Sequence, residues 1–282
     1  SWDNITCKGR FAAVPDHFVS WGPIMTAELT EHYGVKDTIE AGVAHFDLHT
    51  RAVDGEVLAS HLRSLGLDPS RPYLFFGMSA SIFAPREIDI VAWLAERVQR
   101  GTFGTGMQLL VRPHPQNIRG RMSDPGMISR LRSIRGGCIA IDQPDVLSDR
   151  LDFAEQDMAR LSLLLHGAAV TLNSGSTLSI DALIHDKPVV LTMFDASEDL
   201  PWWESARRLA EFPHLVKLIS YGGVAVARSF ESLGELINGY LANSGRDAAA
   251  RRRTVRAECG EPDGRACHRI AEGLSRLLPP LK

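Results

Sequence analysis

Short apolar runs recur along the chain, and segments of helical periodicity separate most of them. The runs are HFVSW (17–21), PYLFFGM (72–78), MQLLVR (107–112), CIAI (138–141), AAVTL (168–172) and PVVLTM (188–193). They are continuous rather than alternating, the pattern of strands covered on both faces. Residues 23–33 (PIMTAELTEHY) read as a helix closed by Gly34. Residues 86–100 place Ile88, Ile90, Val91, Leu94 and Val98 largely on one face, and 151–165 and 176–186 are predicted helices too. Strands alternating with helices predict βαβ units and an α/β fold, a Rossmann-like doubly wound parallel sheet. A short strand and turn at 225–229 leads into predicted C-terminal helices at 230–243, 247–258 and 264–278. Residues 1–16 lack periodicity, contain Gly9 and Pro15, and read as a connector into a domain spanning 17–282. GTFGTG (101–106) superficially matches a dinucleotide fingerprint, which needs a strand before it and a helix after it. Here a helix precedes and a strand follows, so a helix-to-strand turn is predicted.

Composition changes this picture little. Of 282 residues, 44% are hydrophobic and 23% charged, as in ordinary globular proteins, and the net charge of −3 gives no support for a nucleic-acid partner. The cysteines Cys7, Cys138, Cys259 and Cys267 are scattered with no CxxC pair. That argues against zinc and for a reduced, cytoplasmic chain. No run is long enough to span a membrane and no signal peptide is evident. Arg251, Arg252 and Arg253 could meet an anionic membrane surface or polymer, although such runs more often form a solvated helix face. The chain begins at Ser1-Trp2 without methionine, which reads as a fragment or a processed form.

Ligands of open α/β sheets bind outside the carboxyl ends of the strands, and three strand ends carry candidate chemistry. After YLFF come Gly77, Met78 and Ser79, small enough for a ligand to approach the backbone; taken alone, they read as a plain strand-to-helix loop. After QLLV comes RPHPQN, where prolines stiffen the loop, Arg112 can fork onto a phosphate, and His114 can bond a phosphate or a base edge. A surface turn whose histidine packs is an equal reading. After AAVTL come Asn173, Ser174, Gly175, Ser176 and Thr177. A single hydroxyl would cap the following helix. Several consecutive small residues exceed that need, and free N–H groups at a helix start favour phosphate. Asp181, one turn on, could take the two hydroxyls of a ribose. In SWDNITCKG, Asp3 could act as a general base and Lys8 could meet an anion, although from chemistry alone a solvated chain end is the better reading.

The order of strand-end glycine, R-P-H-P, then N-S-G-S-T, D-A-L-I and K-P-V-V resembles the C-terminal nucleotide-binding half of GT-B glycosyltransferases. Within them it is most similar to the bacterial surface-polysaccharide group that includes the CDP-glycerol glycerophosphotransferases. The non-hydrolysing UDP-N-acetylglucosamine 2-epimerases, which share the fold, are similar too. SWGPIMTAEL, YGV and IEAGVAHFD within 20–47 add to the resemblance. It implies a donor diphosphate on Ser174–Thr177, a ribose on Asp181, and His114 in the donor cleft. Trp2 and Lys8 keep the spacing of the glycerophosphotransferase pattern T-W-H-G-x-x-x-K, but Asp3 stands where the histidine proposed as base would be. The epimerases carry two consecutive glutamates where Ile180 and Asp181 stand here.

The resemblance also implies a preceding N-terminal GT-B domain that binds the acceptor, so the chain corresponds to the donor-binding half or to a short form. The leading expectation is a nucleotide-sugar-dependent glycosyltransferase acting on a bacterial surface glycan or its lipid-linked precursor, cytoplasmic or at the inner face of the membrane. Displacement at the anomeric carbon would use Asp3 as base, with Ser174–Thr177, Arg112 and Lys8 stabilising the departing diphosphate. No cofactor or metal is expected, because no DxD-like motif stands at a strand end. The alternatives are transfer of a polyol phosphate from a CDP donor, an epimerase-like enzyme, and a non-catalytic Rossmann-like binding domain.

Overall fold

The computed structural model describes Ile5 and residues 11–119, 124–134, 139–148 and 154–278. Asp3 and Lys8 therefore lie outside the described residues.

Six of the strands form one parallel sheet: β3 (Tyr73–Gly77), β4 (Gln108–Arg112), β5 (Ile139–Ile141), β6 (Val170–Asn173), β7 (Val189–Thr192) and β8 (Ala225–Ala227). Their spatial order is β5-β4-β3-β6-β7-β8, and every pairing is parallel. The continuous apolar runs behave as their pattern requires. Successive residues of β3 alternate between the faces, with Leu74 and Phe76 in one core and Tyr73 and Phe75 in the other. Helix α3 (Glu87–Gln99) buries Ile90, Val91, Leu94 and Val98 against the Leu74 face, together with α5 (Met127–Ser133) and α9 (Phe230–Ala242). The Phe75 face is covered by α6 (Glu155–Gly167), α7 (Leu178–Ile184) and α8 (Pro213–Ser220). A sheet covered on both faces needs no alternation in its strands, which is why these runs are continuous. The fold class read from the sequence is the one observed.

The first predicted strand departs from that plan. β1 (His17–Ser20) stands outside the large sheet and pairs in parallel with β2 (Asp37–Glu40) across α1 (Pro23–Tyr33). Gly34 ends α1 at φ +68°, its N–H bonded to the carbonyls of Leu29 and Thr30. The chain then runs through a 3₁₀ segment, Ala44–Thr50, and α2 (Gly55–Ser64) before entering β3. The C-terminal helices return to this region: α10 (Ala248–Cys259) packs on α1 and α7, and α11 (Ala266–Leu277) packs on the 3₁₀ segment. Asp47 in that segment accepts the N–H groups of Ala266 and Cys267 at the start of α11 (3.0 and 2.9 Å).

The arginine run is not a uniform solvated face. Arg251 is 2% exposed and donates to Asp186 (2.8 Å) and to the carbonyls of Arg246 and Ser244. Arg252 and Arg253 are exposed. No helix among the described residues is long and apolar enough to cross a membrane.

Candidate functional site

The sheet order reverses between β3 and β6. From β3 the chain proceeds to β4 on one side; from β6 it proceeds to β7 on the other. The carboxyl ends diverge there and leave a crevice, the usual ligand position of such sheets. A cavity of about 410 Å³ occupies it, lined among others by Gly77 and Met78 at the end of β3, Arg112 to Pro115 at the end of β4, and Ser176, Thr177, Leu178 and Asp181 after β6. Its volume suits a ligand the size of a nucleotide. A groove of about 530 Å³ lies between β2 and α11. It is larger but lies away from the strand ends, so the crevice is the better site.

The three predicted strand ends thus converge, but the residues divide into two sets. Gly77, Arg112, His114, Ser176, Thr177 and Asp181 line the cavity. Ser79, Asn173, Ser174 and Gly175 stand behind it and shape the backbone.

The second set revises the sequence reading. Asn173 Oδ1, not a hydroxyl, caps the turn: it accepts from Gly175 N (2.8 Å), Ser176 N (3.0 Å) and Ser179 Oγ (3.0 Å). Thr177 makes no side-chain cap. Ser174 is 1% exposed; its hydroxyl donates to Glu87 Oε1 (2.6 Å) and meets Thr192 Oγ1 (2.9 Å). Ser79 N donates to the other oxygen of Glu87 (2.7 Å), and its carbonyl accepts from Asn117 (2.9 Å). Burial pushes the Glu87 carboxyl up to about 7, against the hydrogen bonds from Ser174 and Ser79. Gly175 adopts φ +98°, and a Cβ there would meet Leu215 at 2.8 Å. At Gly77 a Cβ would lie 2.2 Å from Leu178 Cδ2, so a side chain there requires Leu178 to shift. The expected phosphate seat is therefore narrower than the NSGST stretch. Two of its N–H groups donate to Asn173, while those of Thr177 and Leu178 donate to no acceptor among the described residues.

Arg112 has protein partners that the sequence reading did not anticipate. Its fork is engaged, but with protein carboxylates: Nη1 pairs with Asp142 and Nη2 with Asp157 (2.5 Å). Arg160 bridges the same two acids, with Nε 2.9 Å from Asp142 and Nη2 2.6 Å from Asp157. Asp142 and Asp157 are 1% and 0% exposed. A guanidinium beside two buried carboxylates satisfies them first, because an unpaired buried charge is very costly. Arg112 lines the cavity while both its terminal nitrogens are held by these pairs.

His114 keeps a free valence. Its Nδ1 accepts from Gln116 N (3.1 Å) at the start of α4 (Pro115–Ile118). Burial pushes the imidazole down to about 4, so at neutral pH the ring is neutral and Nε2 carries the proton. Asp181 is 6% exposed and bonds His49 Nε2 through Oδ1 (3.1 Å). Its Oδ2 takes no hydrogen bond from the described residues.

Several wall residues escaped the sequence reading. Trp21 and His45 also line the cavity, and Met158 and Leu161 add apolar surface to it. The rings of Trp21 and His45 meet edge to face at 5.9 Å. His45 and His49 lie on the 3₁₀ segment, and Asp142 directly follows β5.

A parallel doubly wound sheet with its cavity at the switch point and returning C-terminal helices defines a Rossmann-like domain of the GT-B type. Solved structures agree with that class. The wall teichoic acid polymerase TagF superposes with a TM-score of 0.59 at 14% identity, over 94% of this chain and 59% of that one. A UDP-N-acetylglucosamine 2-epimerase gives 0.53 at 14%, over 92% and 57%. MnaA of S. aureus in complex with UDP gives 0.52 at 12%, over 89% and 56%. The chain thus spans less than two thirds of each of these proteins. No protein-family model and no curated protein sequence matches it.

Proposed function

We propose that the chain is the donor-binding half of a nucleotide-sugar-dependent glycosyltransferase of bacterial surface-glycan synthesis. The observation that carries this reading is the cavity at the switch point, where unsatisfied donors and one carboxylate oxygen converge. Thr177 N, Leu178 N, the hydroxyls of Ser176 and Thr177, and His114 Nε2 offer hydrogen bonds to a diphosphate. Asp181 Oδ2 offers an acceptor for ribose hydroxyls. A departing diphosphate is stabilised when such donors are fixed before reaction, and here Asn173 and the buried Glu87 cluster fix them. Asp3 is the proposed base and Lys8 a further cation for the leaving group. The acceptor, a glycan or lipid-linked glycan, falls to a preceding domain of the kind that the longer structural relatives leave room for.

A CDP-linked polyol phosphate is the second reading. The Trp2–Lys8 spacing favours it, and one TagF structure was solved with CDPG. Calorimetric titration of the chain with UDP, CDP, GDP and ADP tests both. Selective binding of UDP or of CDP separates them, and absence of binding by all four overturns the nucleotide reading.

A further inference from the structure

Asp181 is not an isolated carboxylate. Behind it a line of histidines runs away from the cavity: Asp181 on α7, His49 on the 3₁₀ segment, and His185 just beyond α7. His49 Nε2 lies 3.1 Å from Asp181 Oδ1, and His49 Nδ1 lies 3.2 Å from His185 Nε2. His185 Nε2 is also 3.2 Å from Ser162 Oγ on α6. The His49 side chain is 1% exposed. We propose that His49 is a positioning residue of the nucleotide site, holding the Asp181 carboxylate so that one oxygen is spent internally and the other faces the ribose hydroxyls of the ligand.

The proton positions follow from the partners. A nitrogen facing a carboxylate must carry hydrogen, so His49 donates through Nε2. His49 Nδ1 faces His185 Nε2, and burial pushes His185 down to about 3, which holds that ring neutral, so one proton is shared between these two nitrogens. The line is thereby polarised toward Asp181. The rings of His49 and His185 meet at 89° with centroids 5.2 Å apart, so neither turns without losing its neighbour.

The location gives this a consequence. His49 is contributed by the segment that precedes the large sheet, 132 residues from Asp181. The same segment carries His45, which lines the cavity, and Asp47, which anchors α11. A carboxylate withdrawn from water needs a compensating donor, and no other donor among the described residues reaches Asp181. His49 therefore links the orientation of the acceptor oxygen to the docking of the pre-sheet region on α6 and α7.

This inference rests on the nucleotide reading of the cavity, and the test separates the two. UDP, CDP and their 2′-deoxy counterparts are titrated calorimetrically into the whole chain and into its H49L, H49N and H49Q variants, with thermal unfolding of each. Glutamine places an amide N–H near the position of the histidine Nε2; asparagine is too short, and leucine has no donor. The wild type is expected to bind the ribonucleotide about tenfold tighter than its deoxy form. H49L and H49N should lose that ratio while retaining diphosphate affinity, and H49Q should recover most of it. H49N covers the case in which H49L fails to fold. Retention of the ratio in H49N and H49L overturns the positioning role and leaves the nucleotide reading intact. A wild type that binds without ribose preference also overturns it. A wild type that binds neither nucleotide overturns both.

Discussion

Arg112 and Asp181 line the same cavity, and the contrast between them bears on what each can do. Both are ionisable and almost fully buried; Arg112 ends β4, and Asp181 stands in α7, the helix that follows β6. Arg112 has its guanidinium fork closed onto Asp142 and Asp157, with Arg160 locking the far side of both acids. Asp181 has one oxygen on His49 and the other without a partner among the described residues. Charge and position are therefore insufficient guides to a ligand contact. The difference lies in how much of each group is committed to the protein: Arg112 is held at both terminal nitrogens by buried carboxylates, whereas Asp181 is held at one oxygen only.

If that contrast holds, damage to the Arg112 side should appear as lost stability rather than as lost specificity. Arg112→Met removes one of the two cations shared by carboxylates that are 1% and 0% exposed, with Arg160 remaining, and should cost about 1.5–3 kcal/mol. Urea unfolding measures this; a loss under ~1 kcal/mol would mean that the pairs are dispensable and Arg112 is free for a phosphate. Glu87 sharpens the same point through pH. Its folded value of about 7 lies above the ordinary 4.5, so the native state holds a proton that the unfolded chain has released. Stability contributed by this group is present below 4.5 and falls as pH rises toward 7, by on the order of 3 kcal/mol. His114 and His185, pushed down to about 4 and 3, act in the opposite direction across the acidic range, since the unfolded chain binds their protons first. The informative measurement is thus the difference between wild type and Glu87→Gln, followed from pH 5 to 8. It should shift in favour of the variant as pH rises, and a flat difference would show that Glu87 is ionised throughout.

The backbone of the site answers to a smaller change. Gly77→Ala puts a methyl group against Leu178 at the mouth of the cavity. The overpacking should cost ~1–3 kcal/mol and weaken nucleotide binding, and Gly77→Ala combined with Leu178→Ala should recover stability. If the single variant binds UDP and unfolds like the wild type, Leu178 has room to move and the glycine is not a packing requirement.

The sheet was legible from the sequence because a strand buried on both faces must be continuously apolar, and such runs stand out among amphipathic helices. The strand ends followed, since the site of an open α/β sheet is fixed by topology. Two features were not legible. The division of NSGST into capping and cavity-facing residues depends on which oxygen reaches which N–H, and Asn173 rather than a serine or threonine takes that role. The lining contributed ahead of β3 depends on tertiary packing alone. DTIE is too short and too polar to announce β2, and GVAHFDLHT has no sustained period around His45 and His49. Those histidines acquire meaning only when a segment 132 residues away packs beside Asp181.

His114 offers the finest test of the contrast between committed and uncommitted groups, because its two ring nitrogens serve different purposes. Nδ1 accepts from Gln116 N and is structural; Nε2 carries the proton on the cavity side. Asparagine places a carbonyl oxygen near the Nδ1 position, so His114→Asn retains the cap and removes the distal donor. Its stability should stay within ~0.5 kcal/mol of wild type, whereas His114→Ala, which loses the cap as well, should fall by ~1 kcal/mol. Nucleotide affinity should weaken about fivefold to tenfold in both, the worth of one neutral hydrogen bond. Equal stabilities for the two variants would show that the cap contributes nothing. Wild-type affinity in His114→Asn would show that Nε2 donates to solvent rather than to a ligand, and would leave Thr177 and Leu178 as the principal donors on that side of the cavity.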